Sequence, residues 1–248
     1  MAVLASGESA RGTRRPIVSN GVAAHLTTYI GANRYMPDAG APPGPEAVYP
    51  MAFLVEQPAG SVVAAHFHEA NQFQVVVAGG GMLGRHAVAP VAVHYTNAYS
   101  SYGPLAAGEQ GLHYFTLRNG YDRGARYLPA AREELKGLRR RFREAVADAA
   151  PAVAEGTEVL IAPAPDGLGA WRHRLAPGAA LQGPDPASGD GQFWVVTRGS
   201  LRAADGTALP PLSVAFVAPD EPPFVATAGE EGLEVLLLQY PRGRDHVG

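Results

Sequence analysis

Two histidines separated by one residue, His66 and His68, carry the strongest chemical signal in this chain of 248 residues. They lie in the run Gly60-Ser-Val-Val-Ala-Ala-His66-Phe-His68-Glu-Ala-Asn-Gln72-Phe-Gln-Val-Val-Val-Ala-Gly79. On a strand, positions i and i+2 share one face about 7 Å apart along the chain, so both imidazoles can converge on one ion. Gln72 opens the next apolar run, where its amide oxygen either reaches the same ion as a neutral ligand or hydrogen-bonds around it. Imidazoles with a neutral amide leave an ion its full charge and open positions for substrate or dioxygen.

The composition removes competing chemistries. There is no Cys, so disulfides, thiolate nucleophiles and Cys-ligated zinc or iron–sulfur sites are excluded. The one lysine, Lys136, lies in a charged stretch and offers no buried amine for Schiff-base chemistry. No phosphate-binding glycine loop, dinucleotide fingerprint or serine nucleophile elbow occurs. The net charge of -3 provides no positive field for nucleic acid or anionic lipid. With neither a secretory apolar stretch near the N-terminus nor about 18 unbroken apolar residues anywhere, the expectation is a soluble cytoplasmic protein that takes a small molecule and neither nucleic acid nor membrane.

The elements that must position these histidines are short and β-rich: 61–65, 73–78, 91–96, 112–117, 193–197, 212–217 and 233–239. Short strands punctuated by Gly and Pro predict an all-β barrel or sandwich. Pro129 to Ala149, with Leu135, Leu138, Phe142 and Val146 at helical spacing, reads as a linker helix. The Arg139–Arg141 run with Arg143 reads as its solvated face. The halves on either side are related. Gln72–Gly79 matches Gln192–Gly199 at an offset of 120, while Pro90–Tyr95 matches Pro211–Phe216 and Gly111-Leu112 matches Gly232-Leu233, both at an offset of 121. The expected organisation is an irregular arm over residues 1–45, a first barrel over 46–122, a linker with the helix over 123–155 and a second barrel over 156–248. Tyr95, Tyr99 and Tyr102 read as packing.

The Gly60–Gly79 run resembles the first motif of the cupin superfamily: a glycine, five residues, His-x-His, three or four residues, Glu, six residues, Gly. Every spacing is met, with Gln72 in place of Glu. Many cupins hold a divalent metal in a small jelly-roll barrel through these positions and a third histidine from a later strand, and two-barrel members are common. The resemblance therefore implies two cupin-type jelly-roll barrels. Its second motif is absent, so the third ligand is open between His94 and His113, with His94 preferred and His86 and His25 behind them. The implied metal set is His66, His68, Gln72 and His94. In the second copy Pro184 and Pro186 stand where the histidines would be, so that barrel is expected to be degenerate. His173 is expected on the surface.

The resemblance implies a metal-dependent enzyme acting on a small organic substrate. An oxygenase with iron is preferred over zinc, nickel or manganese, and a non-redox isomerase, cyclase or lyase is the alternative. A small-molecule-binding or sensory cupin without turnover, in which the metal merely anchors a ligand, is the other class; a hydrogen-bonded histidine pair in a barrel that has lost its metal is the structural alternative for His66 and His68. A homodimer is an expectation from the resemblance alone.

Overall fold

The computed structural model describes residues 1–33, 35, 36, 43, 44, 47–148, 155–243, 246 and 247. Among these, no helix is long and apolar enough to cross a membrane. The chain divides into two compact units. One is built on Thr13–Asp148, the other on Met1–Gly12 and Ala149–Gly243.

The first unit is an antiparallel barrel. Its strands are β1 (Arg15–Ser19), β2 (Val22–Ile30), β3 (Met51–Gln57), β4 (His66–Phe67), β5 (Gln72–Leu83), β6 (Ala92–Thr96), β7 (Leu105–Arg118) and β8 (Glu144–Asp148). The main sheet runs β8-β6-β5-β7-β3-β2-β1. Period-two alternation sends Tyr114, Thr116 and Arg118 of β7 into the interior, beside Phe53, Val55 and Gln57 of β3. The short β4 pairs with Arg126–Tyr127 and is bridged to Tyr102.

The second unit contains β9 (Gly169–Leu175), β10 (Gln192–Arg202), β11 (Val214–Val217) and β12 (Val225–Gln239). Its sheet is completed at the two edges by Val3–Ala5 and Gly156–Ile161. Its interior is apolar, with Trp194, Val196, Leu201, Ala215, Val235 and Leu237 buried together. Gln192, the counterpart of Gln72, donates to Gln239 Oε1 at 2.8 Å.

The internal repeat has a shared stereochemical cause. Gly79 (φ +70°) lies so close to the opposite strand that a methyl group there would fall 2.2 Å from the Gly111 carbonyl oxygen. Gly199 (φ +65°) meets the Gly232 oxygen at 2.1 Å in the same way. In each barrel the long central hairpin therefore needs a glycine facing a glycine.

Three expectations are corrected. The stretch from Pro129 contains only a short 3₁₀ segment, Ala130–Leu135, and then strands Arg139–Arg140 and β8. Glu144–Asp148 fills the open edge of β6, pairing Val146 with His94, and those backbone hydrogen bonds override the helical spacing. Phe142, counted toward the apolar stripe, is exposed. Residues 15–30 of the expected arm form two paired strands of the first barrel, so that barrel runs beyond residues 46–122 on both sides. His173 is buried on β9 against Thr157, and burial pulls its pKa below the ordinary value.

Candidate metal centre

The interior of the first barrel holds a cavity with about 100 Å³ of free space. Part of its lining is apolar, from Ile17, Val22, Leu26, Met51, Phe53 and Val55. The same lining gathers the polar side chains of His66, His68, Gln72, Tyr102, Arg118 and Asp122. Three of the four residues expected as ligands thus share one cavity. All six polar side chains are buried.

The two imidazoles lie with ring centroids 5.1 Å apart and planes perpendicular. His66 Nδ1 lies 2.7 Å from the Ala64 carbonyl oxygen and His68 Nδ1 lies 2.9 Å from Asp122 Oδ1. Both of these partners only accept, so each Nδ1 carries the proton and each Nε2 keeps its lone pair. A metal-binding imidazole requires this tautomer, fixed by an oxygen behind the ring. Burial, reinforced by neighbouring His68, lowers His66 to about 3, against the pull of the Ala64 carbonyl. His66 is therefore neutral near pH 7.

The remaining contacts close a network. The Tyr102 hydroxyl donates to His66 Nε2 at 2.8 Å and accepts from Gln72 Nε2 at 2.7 Å. Burial pushes the Tyr102 phenol above its ordinary range, so it stays protonated. Arg118 donates to Gln72 Oε1 through Nε at 3.0 Å and Nη2 at 2.7 Å, and Nη2 also lies against the His68 ring, 3.1 Å from Nδ1 and 3.2 Å from Nε2. Its guanidinium carbon stands 5.2 Å from the centre of the Phe53 ring. Burial by itself would raise the Asp122 carboxyl. Arg118, His68 and the Glu69 backbone N–H together hold it well below the usual carboxylate range.

His94 does not join the pair. It points inward, in register with Gln74, but packs behind Gln74 and Tyr102, with its ring 4.9 Å from that of Tyr102. Its Nδ1 lies 2.8 Å from Gln74 Oε1 and its Nε2 lies 3.2 Å from Glu144 Oε1. Strand β8 supplies that carboxylate, which could not be foreseen from a helical reading of the same residues. His113 is on the other face of β7, beside Glu56 of β3. Among the described residues no three His, Asp or Glu side chains converge on a metal position. The donors a divalent ion would find are two prepared imidazoles with the oxygens of Gln72 and Tyr102 beside them, and Arg118 lies against Gln72 and the His68 ring.

Sequence reasoning missed Tyr102, Arg118 and Asp122. Tyr95 and Tyr99 do pack as expected, against Phe73 and Phe67, but Tyr102 faces the cavity. Arg118 was legible through the alternation of β7, since it shares a face with Tyr114 and Thr116. No local signal marked Asp122, which reaches His68 from 54 positions away.

No protein-family model matches the chain, and no curated protein matches it in sequence. Solved structures do match in shape. A nickel(II) complex of the bacterial pirin YhhW from Escherichia coli superposes with a TM-score of 0.60 at 14% identity, covering 97% of this chain and 99% of that one. A proposed dioxygenase from Nostoc punctiforme gives 0.63 at 13%, covering 99% and 83%. A variant of Bacillus subtilis oxalate decarboxylase gives 0.57 at 14%, covering 100% and 79%. The likeness extends over nearly the whole chain in each case, and the fold is that of the cupins, in two jelly-roll units.

Proposed function

We propose that the first barrel is a metal-dependent cupin centre acting on a small organic substrate, with an oxygenase reaction as the preferred chemistry. The observation that carries this reading is the pair of Nδ1 anchors, Ala64 oxygen and Asp122, which turns both Nε2 lone pairs of His66 and His68 toward one cavity. A divalent ion held there by neutral donors would supply Lewis acidity or, as iron(II), dioxygen binding. Similar folds were solved with nickel and with manganese centres, so the element is not restricted to iron.

The chain's own residues have distinct parts. Asp122 and Ala64 orient the two imidazoles. Tyr102, kept protonated by burial, donates its one proton to His66 Nε2; with an ion on that lone pair the proton would be free to turn to an oxygen atom of a bound molecule. The apolar side chains from Ile17 to Val55 that share the lining exclude water and strengthen the polar contacts beside them.

One observation favours oxidation over a non-redox isomerisation. Asp122 is the one carboxylate among the residues lining the cavity; both its oxygens are hydrogen-bonded and it is held ionised, which makes it a poor proton acceptor. Chemistry that needs a strong base has no convincing residue here. The test is to load the protein with iron(II) without oxygen and add nitric oxide as a dioxygen surrogate. An iron–nitrosyl electron paramagnetic resonance signal in the parent, lost in His66→Ala and His68→Ala, is expected. Bound iron that gives no such signal contradicts the oxygenase reading and leaves the metal as a Lewis acid or ligand anchor.

A further inference from the structure

Arg118 is the feature of the centre that a metal cage does not need. Its Nη2 lies 2.7 Å from Gln72 Oε1 and against the edge of the His68 ring, 3.1 Å from Nδ1 and 3.2 Å from Nε2. An ion beside His66 would seek the same Gln72 oxygen and the space in front of His68 Nε2. Gln72 Oε1 accepts two Arg118 N–H groups at once, which uses both of its acceptor sites.

We propose that Arg118 is a built-in competitor for the cation position, weakening divalent-metal binding at His66 and His68, so that an ion loads only as the guanidinium withdraws from Gln72. This rests on the metal reading above. Two effects act together. The guanidinium takes the Gln72 oxygen and crowds the His68 ring, and its charge opposes a second cation in the same site of low polarity. Asp122, 3.4 Å from Arg118 Nη1, reduces the repulsion without removing the competition for lone pairs. The stacking of Arg118 on Phe53 and its burial at 3% exposure hold the guanidinium in place. The centre is therefore expected to bind a divalent ion more weakly than its two prepared imidazoles would allow.

The experiment is calorimetric titration of nickel(II) into the full chain, with circular dichroism and thermal melting as the check on folding. The variants are Arg118→Leu, which removes charge and donors, and Arg118→Lys, which keeps the charge. Because Arg118→Leu leaves Asp122 without its cation, Asp122→Asn and the double variant Arg118→Leu/Asp122→Asn form a second, matched pair. Arg118→Leu is expected to bind nickel at least tenfold tighter than the parent, Arg118→Lys to stay close to the parent, and the double variant to bind at least tenfold tighter than Asp122→Asn alone. If Arg118→Leu does not fold, the matched pair decides. A parent that binds nickel while the Arg118→Leu changes tighten nothing in either comparison overturns the proposal and leaves the metal reading standing. No binding in the parent or in any folded variant overturns both.

Discussion

His68 Nδ1 and Asp122 Oδ1 stand 2.9 Å apart in a buried site, and Arg118 Nη1 lies 3.4 Å from the same carboxylate oxygen. The carboxylate therefore fixes one imidazole and neutralises one guanidinium. Removing its charge strands Arg118, and breaking a buried pair typically costs about 3 to 5 kcal/mol. Asp122→Asn is expected to lose about 3 kcal/mol in urea denaturation and to bind nickel roughly 10- to 100-fold more weakly, since the imidazole loses its orienting partner. Parent-like stability and affinity would show that Asp122 is incidental.

The pH dependence of stability in the metal-free protein follows from His66. Its pKa is lowered to about 3 in the fold against an ordinary 6.5, so between these pH values the unfolded chain binds a proton that the folded chain does not. Stability accordingly rises with pH across that window and falls on acidification, by up to about 1.4 kcal/mol per pH unit from this residue. Asp122 acts in the same direction at lower pH: its contribution is present above the ordinary carboxylate range and lost as pH falls toward its depressed value. His66→Asn is expected to flatten the slope between pH 6 and pH 4 by about one proton. An unchanged slope means that His66 is not held neutral by the fold.

Tyr102 joins His66 Nε2 to Gln72 Nε2 through one hydroxyl. Tyr102→Phe keeps the ring but leaves a buried donor and a buried acceptor unpaired, at a cost of about 1 to 3 kcal/mol. The same change frees the His66 lone pair, so nickel affinity should hold or rise while thermal stability falls. A variant that loses nickel binding without losing stability would instead make the Tyr102 oxygen a ligand.

Gly79 and Gly60 separate two kinds of glycine. Both have positive φ, near +70° and +68°, but a methyl group at Gly60 meets nothing within 4 Å whereas one at Gly79 runs into the Gly111 carbonyl. Gly60→Ala should cost about 1 kcal/mol from backbone strain alone. Gly79→Ala should cost clearly more, measured by the same denaturation experiment, because the central hairpin must move apart. Equal costs would contradict the close approach that underlies the repeat.

Much of this site was legible in the sequence because it is local. His66, His68 and Gln72 fall within seven residues, and the spacing of Gly60 and Gly79 around them is set by turn geometry. The repeat was legible for a similar reason, since Gly79 and Gly199 answer the same backbone constraint. What failed was non-local. Residues 144–148 carry a helical pattern of apolar side chains, yet the unpaired edge of β6 makes a strand of them and brings Glu144 to His94. Arg118 and Asp122 enter the cavity from the end of β7 and the loop after it, and only the closed barrel makes them neighbours of His68. The inward direction of His94 was read correctly, but direction alone does not say how far a side chain lies from the ion.

The central claim is that His66 and His68 hold one divalent ion in the first barrel. Its most direct test is metal content by elemental mass spectrometry on untagged protein dialysed against iron(II), nickel(II), manganese(II) or zinc(II), comparing the parent with His66→Ala, His68→Ala, His94→Ala and His113→Ala. The account predicts up to one ion per chain in the parent, loss in the His66 and His68 variants, and retention in the His94 and His113 variants. A parent and a folded Arg118→Leu variant that both retain none of these metals, or loss of metal on changing His94 or His113 alone, would contradict it.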